Sequence, residues 1–303
     1  MKNYTIAVLA CLFLGSCGNK KNKTLSETKA ISEMENPKTT LTLISETNDL
    51  PRLESVILDE KRNVLYVSIQ NGEEPGDGSI AMLSATGEIL NPSFTLGLNE
   101  PKGMAIVGDL LYVGDLLELI EIDLETGTIS NTYTAENVRY FNDVTADEAG
   151  NVYVSDMHAS SIYKLDTEKN FREWFTSPDI ESANGLLVDG DELIIGGWGY
   201  FTDGQALNAG IGKLHKMNLK TQELVTITTE PLGNLDGIQA FDGSSYFVTD
   251  WKQGKLFKVN KDGSSEELLD TEQGAADIWY IQDKNALLLP LNKENKLAFY
   301  HVD

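Results

Sequence analysis

The sequence predicts an all-β fold, a six-bladed β-propeller, and three observations lead to it. Six segments of the chain share one order of parts, and repeats of this length are typical of stacked sheet units. Each segment contains short apolar runs rich in β-branched and aromatic residues, which favour strands. No segment shows the 3.6-residue periodicity of an amphipathic helix. The repeated unit is therefore an antiparallel meander.

Each copy opens with a short alternating strand, which we call its first strand. The six first strands are predicted at residues 54–59, 102–106, 142–147, 184–189, 236–240 and 276–280. A tight turn then leads to a second apolar strand, as in residues 64–67, and to a third, as in residues 161–166. The copies are roughly 40 residues long, which is the length of a propeller blade.

The last copy lacks a fourth strand of its own. A fourth strand follows each of the first five copies, for example at residues 225–228, whereas the sixth copy ends with its third strand. Residues 40–45 lie just before the first copy and alternate as a strand should. We predict that this N-terminal segment is the outer strand of the last blade and closes the ring, which leaves only short, protected edges.

The N-terminus has the pattern of an export signal. Lys2 precedes an apolar run at residues 6–14, and a Gly-Ser-Cys sequence ending at Cys17 follows it. Residues 14–17 resemble the lipobox of bacterial lipoproteins, in which the cysteine is lipidated; an ordinary cleaved signal peptide is the alternative. We therefore expect a signal at 1–17, a flexible tether at 18–38 and the propeller at 39–303. The predicted location is the bacterial cell envelope, periplasmic or at the outer membrane, with membrane contact through the lipid anchor only.

Composition excludes several classes of function. The chain has 24 basic and 47 acidic residues and a net charge of −23, which repels nucleic acids, so no nucleic-acid partner is expected. Acidic excess is compatible with cation binding or with a solvated surface, and charge alone does not separate them. The two cysteines precede the predicted domain, which excludes disulfides, thiol nucleophiles and Cys-bound zinc. We expect a monomer with a small-molecule substrate.

One position of the repeat brings polar residues together. Alignment of the six first strands places these residues at it: Glu54, Lys102, Asn142, Asn184, Asp236 and Ala276. First strands line the central channel of a propeller, so the six side chains should converge at one mouth. Four of them carry oxygen donors, which suit a hard cation such as Ca²⁺. Neither Cys nor His is among them, which disfavours soft metals.

These residues also carry a family resemblance. Glu54-Ser-Val, Asn142-Asp, Asn184-Gly and Asp236-Gly resemble the metal-binding motifs of the gluconolactonase/regucalcin superfamily, which includes senescence marker protein and the paraoxonases. The resemblance covers essentially residues 50–303. It implies a six-bladed propeller whose divalent cation, usually Ca²⁺, is bound by Glu54, Asn184 and Asp236, with Asn142 as a further ligand or as a substrate contact.

The resemblance also implies an activity, the hydrolysis of lactones or related esters. Asp236 would act as general base or nucleophile at a carbonyl that the cation polarises. A non-catalytic propeller that binds a ligand or protein and keeps a structural metal is the alternative.

Four further residues are candidate substrate contacts. Tyr140 stands where gluconolactonase-like members have an Arg that grips the sugar, which argues against sugar-acid lactones. His158 follows the second strand of blade three and either faces the mouth or lies in a surface loop. Lys102 has three interpretations. We expect its ammonium either to face solvent or to pair with Glu54; the third interpretation is that it binds a substrate carboxylate. Trp198 either lines the pocket or packs between blades.

An aspartate recurs just after the second strand in three blades, as Asp115, Asp156 and Asp250. The recurrence predicts a structural role, a turn or an inter-blade hydrogen bond.

Overall fold

The computed structural model describes residue 1 and residues 38–72, 74–201 and 206–303. The predicted signal and most of the predicted tether lie outside the described residues. Thr39–Asp303 forms one compact unit. Within the described part of the chain, 24 strands form six four-stranded antiparallel sheets. The fold is a six-bladed β-propeller, which confirms the predicted fold class.

The first three blades follow one another along the chain. Blade 1 consists of β2 (Leu53–Asp59), β3 (Val64–Ile69), β4 (Gly78–Ser84) and β5 (Ile89–Leu98). Blade 2 consists of β6 (Pro101–Val107), β7 (Leu110–Asp115), β8 (Glu118–Asp123) and β9 (Thr128–Tyr133). Blade 3 consists of β10 (Phe141–Ala146), β11 (Val152–Asp156), β12 (Ser161–Leu165) and β13 (Phe171–Thr176).

The last three blades include four short 3₁₀ turns at their edges. Blade 4 consists of β14 (Ala183–Asp189), β15 (Glu192–Gly197), β16 (Leu214–Asn218) and β17 (Leu224–Thr226). Blade 5 consists of β18 (Leu235–Ala240), β19 (Ser245–Asp250), β20 (Lys255–Asn260) and β21 (Ser265–Asp270). Blade 6 consists of β22 (Trp279–Ile281), β23 (Ala286–Leu291), β24 (Lys296–Val302) and β1 (Leu41–Thr47). The turns are Pro178–Ile180, Ala206–Asn208, Gln282–Lys284 and Asn292–Glu294.

The N-terminal strand closes the ring. β1 pairs antiparallel with β24, from Leu41 opposite Val302 to Thr47 opposite Leu297. Reciprocal backbone hydrogen bonds between Thr40 and Asp303 extend this pairing by one residue. The outer strand of blade 6 thus comes from the start of the domain.

The first strand of blade 6 is shorter than predicted. β22 begins at Trp279, whereas the prediction began at residue 276. Ala276 donates its N–H to the carbonyl of Pro290, and Asp277 donates its N–H to the carbonyl of Glu54 in blade 1. The segment before Trp279 is extended, but it divides its hydrogen bonds between two blades and so forms only isolated bridges.

The core lies between neighbouring blades. Second strands place large aromatic residues there, and Tyr66, Tyr112 and Tyr153 are fully buried. Each blade buries both faces of its inner strands, so the sheets stack face to face around the channel. Among the described residues, no helix has the length and apolar character needed to cross a bilayer.

The recurring aspartates hold the turns, as predicted. Asp115 accepts the backbone N–H groups of Asn99 and Glu100, which lead into β6. Asp156 accepts those of Arg139 and Tyr140 in the same way before β10. These carboxylates therefore fix how the chain enters the first strand of their own blade.

Candidate functional site

The ring residues lie at β-bulges. Five first strands shift register against their second strands at the ring position, for example between Phe141 and Val144 and between Leu235 and Ile238. A bulge turns side chains out of the regular alternation, and bulges are common beside active sites. The same β-bulge therefore orients the ring side chain toward the channel in each of blades 1 to 5.

Hydroxyl groups of three second strands occupy these bulges. Ser155 accepts the N–H of Asp143 and donates to the carbonyl of Asn184 in the next blade. Thr249 likewise accepts the N–H of Gly237 and donates to the carbonyl of Ala276 in the next blade. Ser68 accepts the N–H of Ser55 in blade 1. Each hydroxyl satisfies a backbone group that the bulge takes out of the ladder.

The four predicted oxygen donors are all buried, as are the other two ring residues. Asn184 donates its amide to the carbonyl of Leu235 at 3.1 Å, which leaves Oδ1 buried with no hydrogen-bond partner among the described residues. A buried acceptor without a donor is costly. A cation beside Oδ1 would satisfy this atom.

Burial sets the electrostatics of Asp236. It raises the pKa of Asp236 well above its ordinary value, and the nearby charges of Glu54 and Asp277 raise it further. Burial likewise raises the pKa of Glu54, although the charge of Lys102 opposes the shift. Two carboxyl groups that repel each other in a desolvated mouth form a site that a cation would stabilise.

Lys102 lies inside the ring and not in solvent. Its side chain is only 6% exposed, and Nζ lies 4.0 Å from Oε1 of Glu54 and 3.8 Å from Oε2 of Glu100. Burial would lower the pKa of Lys102, but Tyr140 and these carboxylates raise it. The solvent interpretation of Lys102 was wrong; the ammonium is near Glu54 at a distance too long for a hydrogen bond.

A second polar layer lies one residue deeper in the channel. At this depth blades 2, 4 and 5 have glycine, while blades 3 and 6 have Asp143 and Asp277. Asp277 accepts a hydrogen bond from the hydroxyl of Ser55 at 2.6 Å, and burial raises its pKa to about 7. Asp143 accepts the N–H of Leu186 at 2.6 Å. Burial raises the pKa of Asp143, and the charge of Asp277 raises it further.

The glycines of this layer make room for the polar groups. A Cβ atom at Gly103 would overlap the carboxylate of Asp143, and one at Gly185 would overlap the carbonyl of Asp236. The Gly residues of the predicted Asn-Gly and Asp-Gly pairs are therefore packing requirements of the channel. This layer was not predicted from the sequence, although Asn142-Asp143 and Ala276-Asp277 have an aspartate at matching positions.

A cavity of about 410 Å³ opens above the ring. Its lining includes Glu54, Lys102, Asn142 and Asp236 of the ring and also Trp251, which follows a second strand as Trp198 does. The sequence did not mark the other lining residues as pocket residues: Arg52, Gln70, Glu100, Met157, Ala206, Asn292 and Lys293. No pattern in the repeat marks these residues, since most lie in the turns that differ between blades. A second cavity, of about 540 Å³, lies at the opposite ends of the first strands.

All three predicted contacts outside the ring line the cavity: Tyr140, His158 and Trp198. Tyr140 and His158 stack with ring centroids 4.7 Å apart, and the Tyr140 hydroxyl donates to Glu100 at 3.0 Å. Burial lowers the pKa of His158, so its imidazole is neutral at pH 7. The ring centroids of Trp198 and Trp251 lie 6.0 Å apart.

The other two histidines lie away from the mouth. His215 is buried in blade 4, with Nε2 3.4 Å from Glu181. His301 lies on β24 and pairs with Asp303. Neither forms a pair above the ring with His158.

The ring fits a hard cation only if its amides take part. Among the described residues, no group of three or more carboxylate, imidazole or thiol side chains could hold a metal ion. The ring instead offers two carboxylates and two amide oxygens, with Asn184 Oδ1 bare. Oxygen donors of this mixed kind are those that Ca²⁺ takes in proteins.

No family model matches the chain, and no curated protein matches it. Solved structures match over most of its length. A gluconolactonase from Xanthomonas campestris is 13% identical with a TM-score of 0.63, over 87% of this chain and 89% of that one. An auxiliary nutrient binding protein from Bacteroides thetaiotaomicron is 11% identical with a TM-score of 0.65, over 88% and 76%. A virginiamycin B lyase from Staphylococcus aureus is 13% identical with a TM-score of 0.59, over 87% and 99%. The shared feature is the propeller fold.

Proposed function

We propose that the protein is a divalent-cation-dependent hydrolase of lactones or related esters, similar to gluconolactonases. One observation carries the proposal: Glu54, Asn142 and Asp236 line one cavity, and the Oδ1 atom of Asn184 is buried without a hydrogen-bond partner among the described residues. The open cavity beside them has the volume of a small-molecule site. The similarity to a solved gluconolactonase supports the scaffold.

In this proposal Glu54, Asn184 and Asp236 hold the cation, probed as Ca²⁺, and Asn142 is a fourth ligand or a substrate contact. When bound, the cation would polarise the substrate carbonyl and stabilise the developing oxyanion. Asn292 supports Glu54, since its amide donates to Oε2 at 3.1 Å and to the carbonyl of Leu53 at 3.0 Å.

Asp236 serves as general base or nucleophile. Its position in the ring brings it to the floor of the cavity. A carboxylate that also ligates a cation is a weak base, so reactive acyl groups such as lactones and aryl esters suit it better than amides. Trp198 and Trp251, from blades 4 and 5, also line this cavity.

A non-catalytic propeller that binds a ligand is the second candidate. The position of Lys102 favours it, because a buried ammonium within 4.0 Å of Glu54 competes with a divalent cation for that carboxylate. The solved nutrient binding protein has the same fold. In this alternative the ring is a structural element that keeps the channel closed.

A substrate panel with and without metal separates the two candidates. Lactones and aryl esters are assayed in Ca²⁺ and in chelator, with the wild type, Asp236→Asn and the control Asp262→Asn, whose residue lies in an exposed turn. The hydrolase proposal expects Ca²⁺-dependent turnover that falls at least about 100-fold in Asp236→Asn only. If no substrate is hydrolysed and Asp236→Asn changes only the melting temperature, the hydrolase proposal is wrong.

We also propose that Cys17 carries lipid and anchors a monomeric propeller in the bacterial cell envelope. The lipobox-like residues 14–17 support this. Labelling of the expressed protein with a tagged fatty acid should be lost in Cys17→Ala. Labelling that persists in this variant would exclude Cys17 as the lipidated residue.

A further inference from the structure

The cavity above the ring has two chemically different sides. Blades 6, 1 and 2 contribute its cationic residues, Lys293, Arg52 and Lys102. Blades 3, 4 and 5 contribute its aromatic residues, which are Tyr140, His158, Trp198 and Trp251. We call these sides the basic arc and the aromatic arc. Each arc comprises three consecutive blades, so each is one continuous wall.

We propose that the cavity selects ligands in which a carboxylate is attached to an aromatic group. Resting on the proposed function, this assigns the substrate class as carboxylated aryl esters or aryl lactones. The carboxylate lies against the basic arc and the ring against the aromatic arc, with the acyl carbon above the ring of oxygen donors.

Among the described residues, none of the three cations of the basic arc lies within hydrogen-bond distance of a carboxylate. Lys102 is 3.8 Å or more from its nearest carboxylates. Arg52 donates its guanidinium to the carbonyl of Gly72, and the Lys293 ammonium lies 5.2 Å from the centroid of Trp251. Within the described part of the chain, both contacts leave further N–H donors of these groups without a partner.

Several lysines elsewhere in the described chain are paired more tightly. Lys255 lies 2.6 Å from Glu267, and Lys296 lies 2.7 Å from Glu46. In a protein with a net charge of −23, cations are scarce, and a cation that faces a cavity at longer range is available for an anion.

The carboxylates of the cavity are committed to other partners. Glu54 and Asp236 are the proposed cation ligands, and Glu100 accepts the hydroxyl of Tyr140. With a divalent cation bound, the cavity therefore has an excess of positive charge. An anionic ligand would neutralise this excess.

The aromatic arc offers flat surface and few hydrogen bonds. Tyr140 and His158 stack with an interplanar angle of 15°. The indole N–H of Trp198 already donates to the carbonyl of Ala206 at 2.8 Å. Aromatic rings pack well on such a surface, whereas the hydroxyl groups of a sugar would be left without partners.

Binding is tested separately from turnover, so that the two proposals can fail independently. The non-hydrolysable probes are phenylacetate and neutral 2-phenylethanol, titrated in Ca²⁺ against the intrinsic tryptophan fluorescence, to which the cavity residues Trp198 and Trp251 contribute. The hydrolysable pair is 4-acetoxybenzoate and phenyl acetate. The variants are Lys293→Met, Lys102→Met and the control Lys220→Met, whose side chain is 79% exposed.

We expect phenylacetate to bind about tenfold or more tightly than 2-phenylethanol, the change typical of a charge-assisted hydrogen bond. Lys293→Met and Lys102→Met should each reduce this preference several-fold, and Lys220→Met should not. Equal binding of the two probes, or a preference that survives in both cavity variants, overturns the ligand class. If neutral esters are hydrolysed as well as the carboxylated one, the proposed ligand class is wrong and the hydrolase proposal is supported. If the carboxylated probe binds selectively but no ester is hydrolysed, the hydrolase proposal is wrong and the ligand class is supported.

Discussion

Replacement of Lys102 by methionine tests the electrostatics of the mouth most directly. Methionine keeps the length and apolar stem of lysine but removes the charge. In the absence of metal, Lys102 offsets Glu54 and Glu100 most strongly, ahead of Arg52 and Lys293. The variant should be less stable without metal, and it should bind a divalent cation more tightly than the wild type.

The distances give the scale of both effects. At 4.0 Å from Glu54, a unit charge contributes about 4 kcal/mol at an effective dielectric constant of roughly 20. Loss of one partner of a buried pair typically costs about 3 to 5 kcal/mol, and relief of the desolvated ammonium offsets part of this loss. We therefore expect a loss of about 2 to 4 kcal/mol, or roughly 4 to 16 °C in melting temperature for a domain of this size.

The sign of the pH dependence follows from Glu54. Burial raises the pKa of Glu54 above its ordinary value of 4.5, so the native state holds this proton more tightly than the unfolded chain does. Stability from this group is present at acid pH and is lost as pH rises through the raised pKa. Without Lys102 the pKa rises further, so the variant should lose more stability than the wild type as the pH increases.

Calorimetry and thermal melting check both effects. Ca²⁺ is titrated into chelator-treated wild type, Lys102→Met, Glu54→Gln and the double variant, and each protein is melted in chelator and in Ca²⁺. We expect roughly tenfold tighter Ca²⁺ binding in Lys102→Met, since an ammonium repels a divalent cation by at least about 1 kcal/mol at this range. The double variant should show a coupling of more than about 1 kcal/mol. Unchanged stability with unchanged Ca²⁺ binding would refute the argument.

Three further changes probe the frame of the channel and one buried histidine. Gly185→Ala should cost more than about 3 kcal/mol in chemical denaturation, because its Cβ would overlap the carbonyl of Asp236; a loss below 1 kcal/mol would contradict this. Ser155→Ala should cost about 1 to 3 kcal/mol and weaken Ca²⁺ binding, since it strands two backbone groups at the ring; Ser93→Ala, at an exposed position of β5, is the control. His215→Gln should flatten the stability profile below pH 6.5, because burial lowers the pKa of His215 and the unfolded chain takes up its proton first, at up to about 1.4 kcal/mol per pH unit; an unchanged slope would exclude His215 as the source.

The architecture was accessible from sequence because the physics that builds it is local and repeated. Alternating apolar runs specify strands, and the Gly-containing turns between them specify meanders. Ring closure was also predictable, since an unpaired strand at each end of the repeat can pair only with the other. The first strand of blade 6 was placed too early because its hydrogen bonds go to blade 1 as well as to its own blade.

The site was only partly accessible, because its residues are of two kinds. Ring residues such as Asn142 recur at one position of the repeat and can be aligned. Arg52 and Lys293 lie in turns whose lengths differ between blades, so only the three-dimensional structure brings them to the same cavity. Lys102 shows the remaining difficulty, since its burial depends on the shape of the mouth and not on the residues beside it in sequence.

Ring closure and the candidate site depend on the same contacts. The chain leaves β1 and reaches β2 through Leu50 and Arg52, and both backbone N–H groups bond to Asn295, at 3.0 and 2.8 Å. Asn292 in the same turn holds Glu54 through its amide. The basic arc therefore spans the junction between blade 6 and blade 1, where β1 pairs with β24 and closes the ring. Any opening of that junction would move Arg52 and Glu54 away from the other ring residues. An anionic ligand bound by both Arg52 and Lys293 would in turn stabilise the closed ring, because these residues belong to the first and the last blade.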